Sequence, residues 1–330
     1  QSHLYINARL LPSKEVMAEI RVLKDGEGIF KNNDLVAFKS EDGFIIGKPK
    51  QDDLVVVNSK CELPELEKIT DLFSRNSELI SFDFEALNTK NSASIPEHCT
   101  LIGATESIFI HPSAKVYASS FNTSDGPIYI GENAIVMEGS MVRGPFAMCD
   151  SSTLKLGTKI YGATSVGPHS KVGGEVSNSV ILGYSNKGHD GFMGNSIIGE
   201  WCNLGADTNT SNLKNNYSNV RVWNYSSKTM EDTGLTFCGL IMGDHSKCSI
   251  NTMFNTGTVV GVNSNIFGSG FPPKFVPSFS WGGGDSMATY DFNKAMETAD
   301  KVCARRKIKL SDFQKNMLKK VFESSKVFRS

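Results

Sequence analysis

The chain has 330 residues, with 34 lysines and arginines against 35 aspartates and glutamates. This balance leaves no net electrostatic field that would favour nucleic acid or a membrane surface as a partner. No apolar run is long enough to span a bilayer and no signal peptide is recognisable, so we expect a cytoplasmic protein. The length suits a solenoid with flanking domains, and the seven cysteines show no paired framework.

The first region, residues 1–105, has the mixed pattern of an α/β segment. A helix is predicted from about Pro64 to Arg75, because proline favours the first helical turn and apolar residues follow at helical spacing. The chain enters directly on a strand-like run, so we expect further sequence before Gln1. The predicted strands are Leu4–Ile6, Leu35–Phe38, Phe44–Gly47 and Leu54–Val57.

A six-residue repeat characterises the second region, residues 106–270. From Met148 it reads MCDSST, LKLGTK, IYGATS, VGPHSK and VGGEVS, with a bulky apolar residue first and a small residue usually fifth. A helix would bring apolar residues back every three or four positions, and a β-sandwich every two. A fixed hexad is typical of a parallel β-helix, in which three units close one coil of about eighteen residues. We therefore predict a left-handed parallel β-helix, with the first residues inside and the fifth at the corners.

The repeat is interrupted by a long insertion, residues 211–238, and is then left by the third region, residues 271–330. Insertions in a solenoid form loops on one face and often carry function. Two amphipathic helices are predicted between Tyr290 and Arg329, with a break near residues 309–311. We expect them to be a helical cap on the open end, because a bare end exposes strand edges. Flat-sided β-helices commonly form trimers with active sites between subunits, so we also expect a homotrimer.

Several motifs carry a resemblance to a known family. They are GPIYIGENA, GGEVSNSVILGYSNKGHDGFMG, WCNLGADTNTSNLKNNY, CGLIMGDHSKC and NTMFNTGTVVGV. On these motifs the chain resembles a divergent bacterial branch related to the bifunctional N-acetylglucosamine-1-phosphate uridylyltransferase/glucosamine-1-phosphate N-acetyltransferase. The resemblance implies a hexapeptide-repeat acyltransferase that uses acetyl-CoA. It also implies a nucleotidyltransferase-like region in residues 1–105, which would need Mg²⁺ only if that activity exists.

The resemblance implies a set of site residues. The family's KAGHLTYLGD corresponds to KGHDGFMGN here, which makes His189 the counterpart of the general base. The implied substrate contacts are Lys159, Phe192 and Asn203, to which Lys187 is added for its positive charge, and the implied coenzyme A contacts are Ala206, Asn212 and Gly268. The chain departs from the family at two positions: a lysine expected near residues 177–178 is absent, and Phe192 replaces a tyrosine.

The chemistry of acyl transfer supports several of these assignments. Transfer from a thioester to an amine needs a base, and the pKa of an ordinary histidine lies near working pH, which suits His189. Backbone N–H groups at residues 204–206 are candidates for binding the oxyanion, and Lys159 and Lys187 for binding a phosphate. The structural alternatives are that His189 is an ordinary turn residue and that Asn203 only stabilises a corner.

A metal site is not expected from the histidines. They show no close pair, and His245 with Cys248 supplies two ligands where a structural zinc site needs four. The sequence therefore predicts a transferase that acylates an amino-sugar phosphate or a nucleotide sugar, without nucleic-acid or membrane partners. The alternative hypothesis is a non-catalytic sugar-nucleotide-binding or assembly protein on the same scaffold.

Overall fold

The computed structural model describes residues 2–41, 50–87, 92–284 and 286–329. The chain divides into two compact units, Gln1–Asp71 and Leu72–Ser330. The predicted strand Phe44–Gly47 lies outside the described residues. None of the helices in the described part of the chain has the length and apolarity that crossing a membrane requires.

The first unit is built on a small mixed sheet. Its helix, Lys14–Arg21, begins where the Ser13 hydroxyl accepts a hydrogen bond from the Val16 N–H, and it packs Val16 and Ile20 into the apolar core. Asn32 and Asn33 have positive φ in the tight turn between the two central strands, as asparagine tolerates in such hairpins. In spatial order the strands are His3–Ile6, Asp34–Ser40, Glu27–Lys31 and Val55–Val57.

The helix predicted from Pro64 to Arg75 is wrong over most of its length. Glu65 instead forms a bridge with Leu10, which commits its backbone to an extended conformation. The only α-helical part of this stretch is Asp71–Ser74, and before it the Asp71 carboxylate accepts the N–H groups of residues 67 and 68 at 2.7 and 2.8 Å. A longer helix, Asn76–Ala86, follows it.

The second unit is a parallel β-helix with three sheets, which confirms the predicted fold class. Sheet 1 holds Lys115–Val116, Ile135–Val136, Thr153–Leu154, Lys171–Val172, Asn186–Lys187, Asn203–Leu204, Lys247–Cys248, Asn265–Ile266, Ser280–Gly282 and an antiparallel Met287–Thr289. Sheet 2 holds Thr100–Ile102, Ser120–Asn122, Met141–Arg143, Lys159–Tyr161, Glu175–Ser177, Phe192–Gly194, Asn209–Thr210 and Met253–Phe254. Sheet 3 holds Ile108–Ile110, Ile128–Ile130, Phe146–Met148, Thr164–Val166, Val180–Ile181, Ile197–Ile198, Ile241–Met242, Val259–Val260 and Phe275–Val276. Parallel pairing thus begins before residue 106 and continues beyond residue 270.

The hexad explains the interior of the solenoid. The leading residues Met148, Leu154 and Val166 are fully buried and form one continuous core. The small fifth residues are buried at the corners, where their hydroxyls bond to carbonyls that the bend would leave unpaired. The Thr158 hydroxyl, for example, donates to the carbonyl of Lys155 at 2.6 Å.

The insertion packs on sheet 3. It forms a hairpin of Arg221–Asn224 and Thr229–Asp232, and Val222 lies in an apolar cluster with Ile197 and Val259. The Trp223 ring stacks on Phe275 with centroids 4.1 Å apart. The insertion therefore covers one face of the solenoid.

Two C-terminal helices, Phe292–Ala304 and Asp312–Ser324, confirm the predicted helical part. Asp291 caps the first helix, and Ser311 with Gln314 forms a capping box on the second. Their apolar residues pack against Trp201 and Phe279 of the solenoid. The helices therefore lie along a side of several coils, rather than only over the open end where they were expected, and they form one wall of a cavity. Three short 3₁₀ helices complete the described elements: Gln51–Asp53, Thr105–Ser107 and Ser325–Phe328.

Candidate active site

A cavity of about 380 Å³ lies between sheet 1 and the end of the first C-terminal helix. Its polar floor comes from the solenoid, where His189 follows strand Asn186–Lys187 at the corner toward sheet 2. Asn186 and Asn203 are register partners on neighbouring strands, so both present their side chains on the same face. The cavity thus brings His189 and Asn203 together, two residues that the sequence singled out.

The His189 side chain is exposed to the cavity, and no described residue forms a hydrogen bond with its imidazole. Its backbone is held in place instead. The carbonyl of His189 accepts a hydrogen bond from the Lys187 ammonium at 2.7 Å. A fixed backbone with an unengaged ring is an arrangement that leaves the imidazole available to an incoming proton donor.

A row of stacked aromatic rings forms part of the cavity wall. Tyr184 stacks on Trp201 with centroids 4.2 Å apart, and on His169 at 4.7 Å. These residues and His245 occupy equivalent corners of successive coils, each with φ near +60°. Because both faces of the Tyr184 ring are covered, the ring presents only its edge to the cavity.

Four cationic side chains line the same cavity: Lys155, Lys171, Arg305 and Arg306. The first two come from the solenoid and the other two from the turn after the first C-terminal helix. Among the described residues that line the cavity there is no carboxylate. Burial, and then the nearby charges of Arg306 and the other two cations, lower the pKa of Lys171. The cavity is therefore a positively charged compartment around His189.

Lys187, predicted as a substrate contact, points into the solenoid instead. It is 3% exposed, and its ammonium donates to the carbonyls of Gly173 and His189 at 3.1 and 2.7 Å. It is in register with Val172, at a position that apolar residues occupy in other coils. Burial lowers its pKa to about 8. From inside the solenoid, the Lys187 ammonium therefore holds the turn that carries His189 through its hydrogen bond to the His189 carbonyl.

Replacing Lys187 with methionine tests this burial through the pH dependence of stability. Because the folded chain releases this proton near pH 8 and the unfolded chain near 10.5, the unfolded chain binds more protons between these values. The stability of the wild type relative to Lys187→Met should therefore rise from pH 8 to 10.5, by up to roughly 3 kcal/mol. Urea denaturation of both proteins at several pH values measures the difference. A difference that does not change with pH would contradict the buried ammonium.

The other predicted substrate contacts, Lys159 and Phe192, lie on sheet 2. Lys159 is exposed, with Met141 and Glu175 as its register partners. The N–H of Phe192 donates to the side-chain oxygen of Asn209 at 2.8 Å. Neither residue lines the cavity, which opens on sheet 1.

The predicted coenzyme A contacts fall in two places. Ala206 and Gly268 follow strands of sheet 1 that are two coils apart, and the exposed Ile250 follows the strand between them. These three residues therefore form a line along one corner of the solenoid. Asn212 lies at a different corner, where its amide donates to Asn195 at 2.8 Å.

The peptide N–H groups near His189 differ in availability. The Gly205 N–H donates to the carbonyl of Cys248 at 3.1 Å and is committed to the sheet. The Ala206 N–H has no partner among the described residues. Among the donors predicted at 204–206, the Ala206 N–H is therefore available to bind a developing oxyanion.

The sequence alone did not identify the cationic wall. Lys155 and Lys171 resemble the other solvent-facing lysines of the repeat. Arg305 and Arg306 are distant from them in sequence, in the C-terminal region. No groups of three or more potential metal ligands occur in the part of the chain that the structure describes.

Comparison with known proteins identifies the relatives of this chain. Residues 1–92 match the family model for sugar nucleotidyl transferases. The bifunctional protein GlmU of Methanocaldococcus jannaschii is 40% identical over 89 residues, which are 27% of this chain and 21% of that protein. The chain is therefore similar to a GlmU protein over about a quarter of its length. These relatives are archaeal, so the predicted bacterial branch stays a prediction.

A second relative spans more of the chain. The bifunctional sugar-1-phosphate nucleotidylyltransferase/acetyltransferase of Sulfurisphaera tokodaii is 28% identical over 144 residues, 43% of this chain and 35% of its own length. The chain thus spans about a fifth to a third of the length of these curated relatives. Its similarity is to sugar nucleotidyltransferase/acetyltransferase proteins.

Two solved structures are also similar. The polySia-specific acetyltransferase NeuO has a TM-score of 0.31 and 14% identity over 62% of this chain and 94% of its own. AntD, an N-acyltransferase from Bacillus cereus, has a TM-score of 0.27 and 12% identity over 67% of this chain and 95% of its own. The evidence for the solenoid in this chain is its own strand pairing.

Proposed function

We propose that this protein is an acetyl-CoA-dependent N-acyltransferase that acts on an amino-sugar phosphate or a nucleotide sugar. The observation that carries the proposal is the cavity itself. It places the exposed His189 among amides and cations, without a carboxylate among the described lining residues. The Sulfurisphaera relative is named as an acetyltransferase as well as a nucleotidylyltransferase, which supports the same reaction class.

In the proposed reaction the acceptor amine attacks the thioester carbonyl while His189 takes a proton from the nitrogen. A nitrogen–carbon bond forms and the carbon–sulfur bond breaks, and the thiolate leaves with the proton returned by the imidazolium. The Ala206 N–H stabilises the negative oxygen of the tetrahedral intermediate. Asn186 and Asn203 orient the sugar through their amides.

The corner line of Ala206, Ile250 and Gly268 is the proposed path of the coenzyme A arm. Ile250 is 65% exposed and offers an apolar surface beside two residues without bulky side chains. A Cβ atom built on Gly268 meets nothing within 4 Å, so the path is open there. Residues Lys159, Phe192 and Asn212 remain proposed contacts for parts of the substrates outside the cavity, and a homotrimer remains the proposed assembly.

The proposed function predicts both binding and turnover. Acetyl-CoA should raise the melting temperature, since a ligand that binds only the folded state stabilises it. Thiol release should then depend on an added acceptor from a panel of amino-sugar phosphates and nucleotide sugars. The same sugars with a hydroxyl in place of the amine are the control and should give no release. Binding of nucleotide sugars without turnover from any acceptor would favour the alternative, a non-catalytic binding protein.

A nucleotidyltransferase activity is the second candidate, because residues 1–92 match the sugar nucleotidyl transferase family. The activity would join a nucleotide to a sugar-1-phosphate with Mg²⁺ and release pyrophosphate. Pyrophosphate release from a nucleoside triphosphate and a sugar-1-phosphate tests it, and no release from any such pair would exclude it.

A further inference from the structure

The four cations of the cavity are not paired with carboxylates in the described part of the chain. Lys155, Lys171, Arg305 and Arg306 form no salt bridge with a described carboxylate. Arg306 donates one hydrogen bond, to the side-chain oxygen of Asn186 at 3.3 Å. Four like charges around one cavity repel each other, and an anion between them would remove that repulsion.

The cations are held by rigid parts of the molecule. Lys171 is in a central strand of sheet 1, paired on both sides. The turn that carries Arg305 and Arg306 is fixed by its backbone, since the Arg306 N–H donates to the carbonyl of Cys303 at 2.9 Å. Cys303 is buried in the cluster that joins the helix to Trp201. The two halves of the charged wall are therefore positioned before any ligand binds.

The cavity floor leaves room between the cations and His189. Gly188 lines the cavity, and a Cβ atom built on it would meet only the Cβ of Lys171, at 4.0 Å. A side chain at this position would therefore fill open space in the cavity. The absence of a side chain there leaves a depression beside Lys171 that a compact group can occupy.

We propose that Lys155, Lys171, Arg305 and Arg306 form a phosphate-binding site, so that the C-terminal helical segment completes the substrate site. The ligand is an organic phosphate. The identity of the molecule that carries this phosphate rests on the proposed function, whereas the phosphate site itself does not. Two sources share this chemistry, the phosphate of the amino-sugar acceptor and the 3′-phosphate of coenzyme A. The acceptor phosphate is favoured, because the pantetheine arm separates the 3′-phosphate from the thioester that must reach His189.

Calorimetric titration without turnover tests the site. The probes are glucosamine-1-phosphate, glucosamine, coenzyme A and 3′-dephospho-coenzyme A. Glucosamine-1-phosphate should bind at least tenfold more weakly to Lys171→Gln and to Arg305→Gln, because each substitution removes a charge-assisted hydrogen bond. Lys309→Gln, an exposed cation of the same C-terminal segment outside the cavity lining, is the matched control and should bind like wild type.

The titrations with glucosamine and with the two forms of coenzyme A identify which molecule supplies the phosphate. If the acceptor supplies it, glucosamine should bind weakly to all proteins, and the variants should bind both coenzyme forms equally well. If coenzyme A supplies it, the variants should lose the wild type's preference for coenzyme A over 3′-dephospho-coenzyme A. Unchanged affinity for every phosphate in folded variants would overturn the site, even if acyl transfer is observed. If the variants lose phosphate binding and the wild type shows no acyl transfer, the phosphate site is supported and the acyltransferase function is rejected.

Discussion

His189→Ala is expected to lower kcat by about 10²–10⁴-fold, the usual contribution of a positioned general base. The imidazole faces the cavity without a partner among the described residues, so its loss removes no internal contact. The melting temperature should therefore stay at the wild-type value. The KM for the acceptor should change little, because the base acts on the proton that leaves during the reaction.

The matched control for this substitution is His111→Ala. His111 is a partly exposed histidine of the same solenoid, and its ring contacts Ser113 at 2.8 Å, outside the cavity. It should retain wild-type turnover. Steady-state rates with saturating acetyl-CoA compare the three proteins. Full turnover in His189→Ala would remove the general base from the mechanism.

Trp201→Ala should destabilise the second unit by about 3–5 kcal/mol, the usual cost of removing a large buried aromatic side chain. Trp201 is 6% exposed, stacks on Tyr184, and joins the solenoid to Ala295, Ala299 and Cys303 of the first C-terminal helix. Its φ is +60°, a strained value for both tryptophan and alanine, so the backbone contributes little to the difference. The lost free energy is therefore mainly that of the ring.

The same substitution should also weaken acceptor binding. Without the Trp201 ring the helix loses part of its support, and the Arg305 and Arg306 half of the charged wall is held less firmly. Trp201→Phe keeps an aromatic ring in the stacked row and should lose less stability and less affinity. Urea denaturation and calorimetric titration measure the two effects. A Trp201→Ala protein as stable as wild type would show that the helices do not depend on this contact.

The solenoid could be predicted from the sequence because its period is local. Each hexad contains one inward-facing residue and one corner residue. The burial of Met148, Leu154 and Val166 can therefore be predicted from their position in the hexad, without knowledge of distant contacts. The helix predicted at Pro64–Arg75 failed for the opposite reason. Its helical spacing is real, but a non-local bridge between Leu10 and Glu65 fixes the backbone as extended.

The candidate site was predictable only in part. His189 and Asn203 were found through motif resemblance, and the structure brings both to one cavity. Lys187 was misplaced because the hexad is broken before it. It pairs with Val172 after fifteen residues rather than eighteen, which turns its side chain inward. Arg305 and Arg306 were missed, since the repeat carries no information about where a C-terminal helix packs on its side.

The most direct measurement is the transfer of an isotopically labelled acetyl group from acetyl-CoA to the acceptor, with the product identified by mass spectrometry. Wild type should place the label on the amine nitrogen of an amino-sugar phosphate or nucleotide sugar. His189→Ala should form the same product far more slowly. The absence of labelled product from every acceptor, with acetyl-CoA also failing to stabilise the protein, would contradict the assignment of this cavity to acyl transfer.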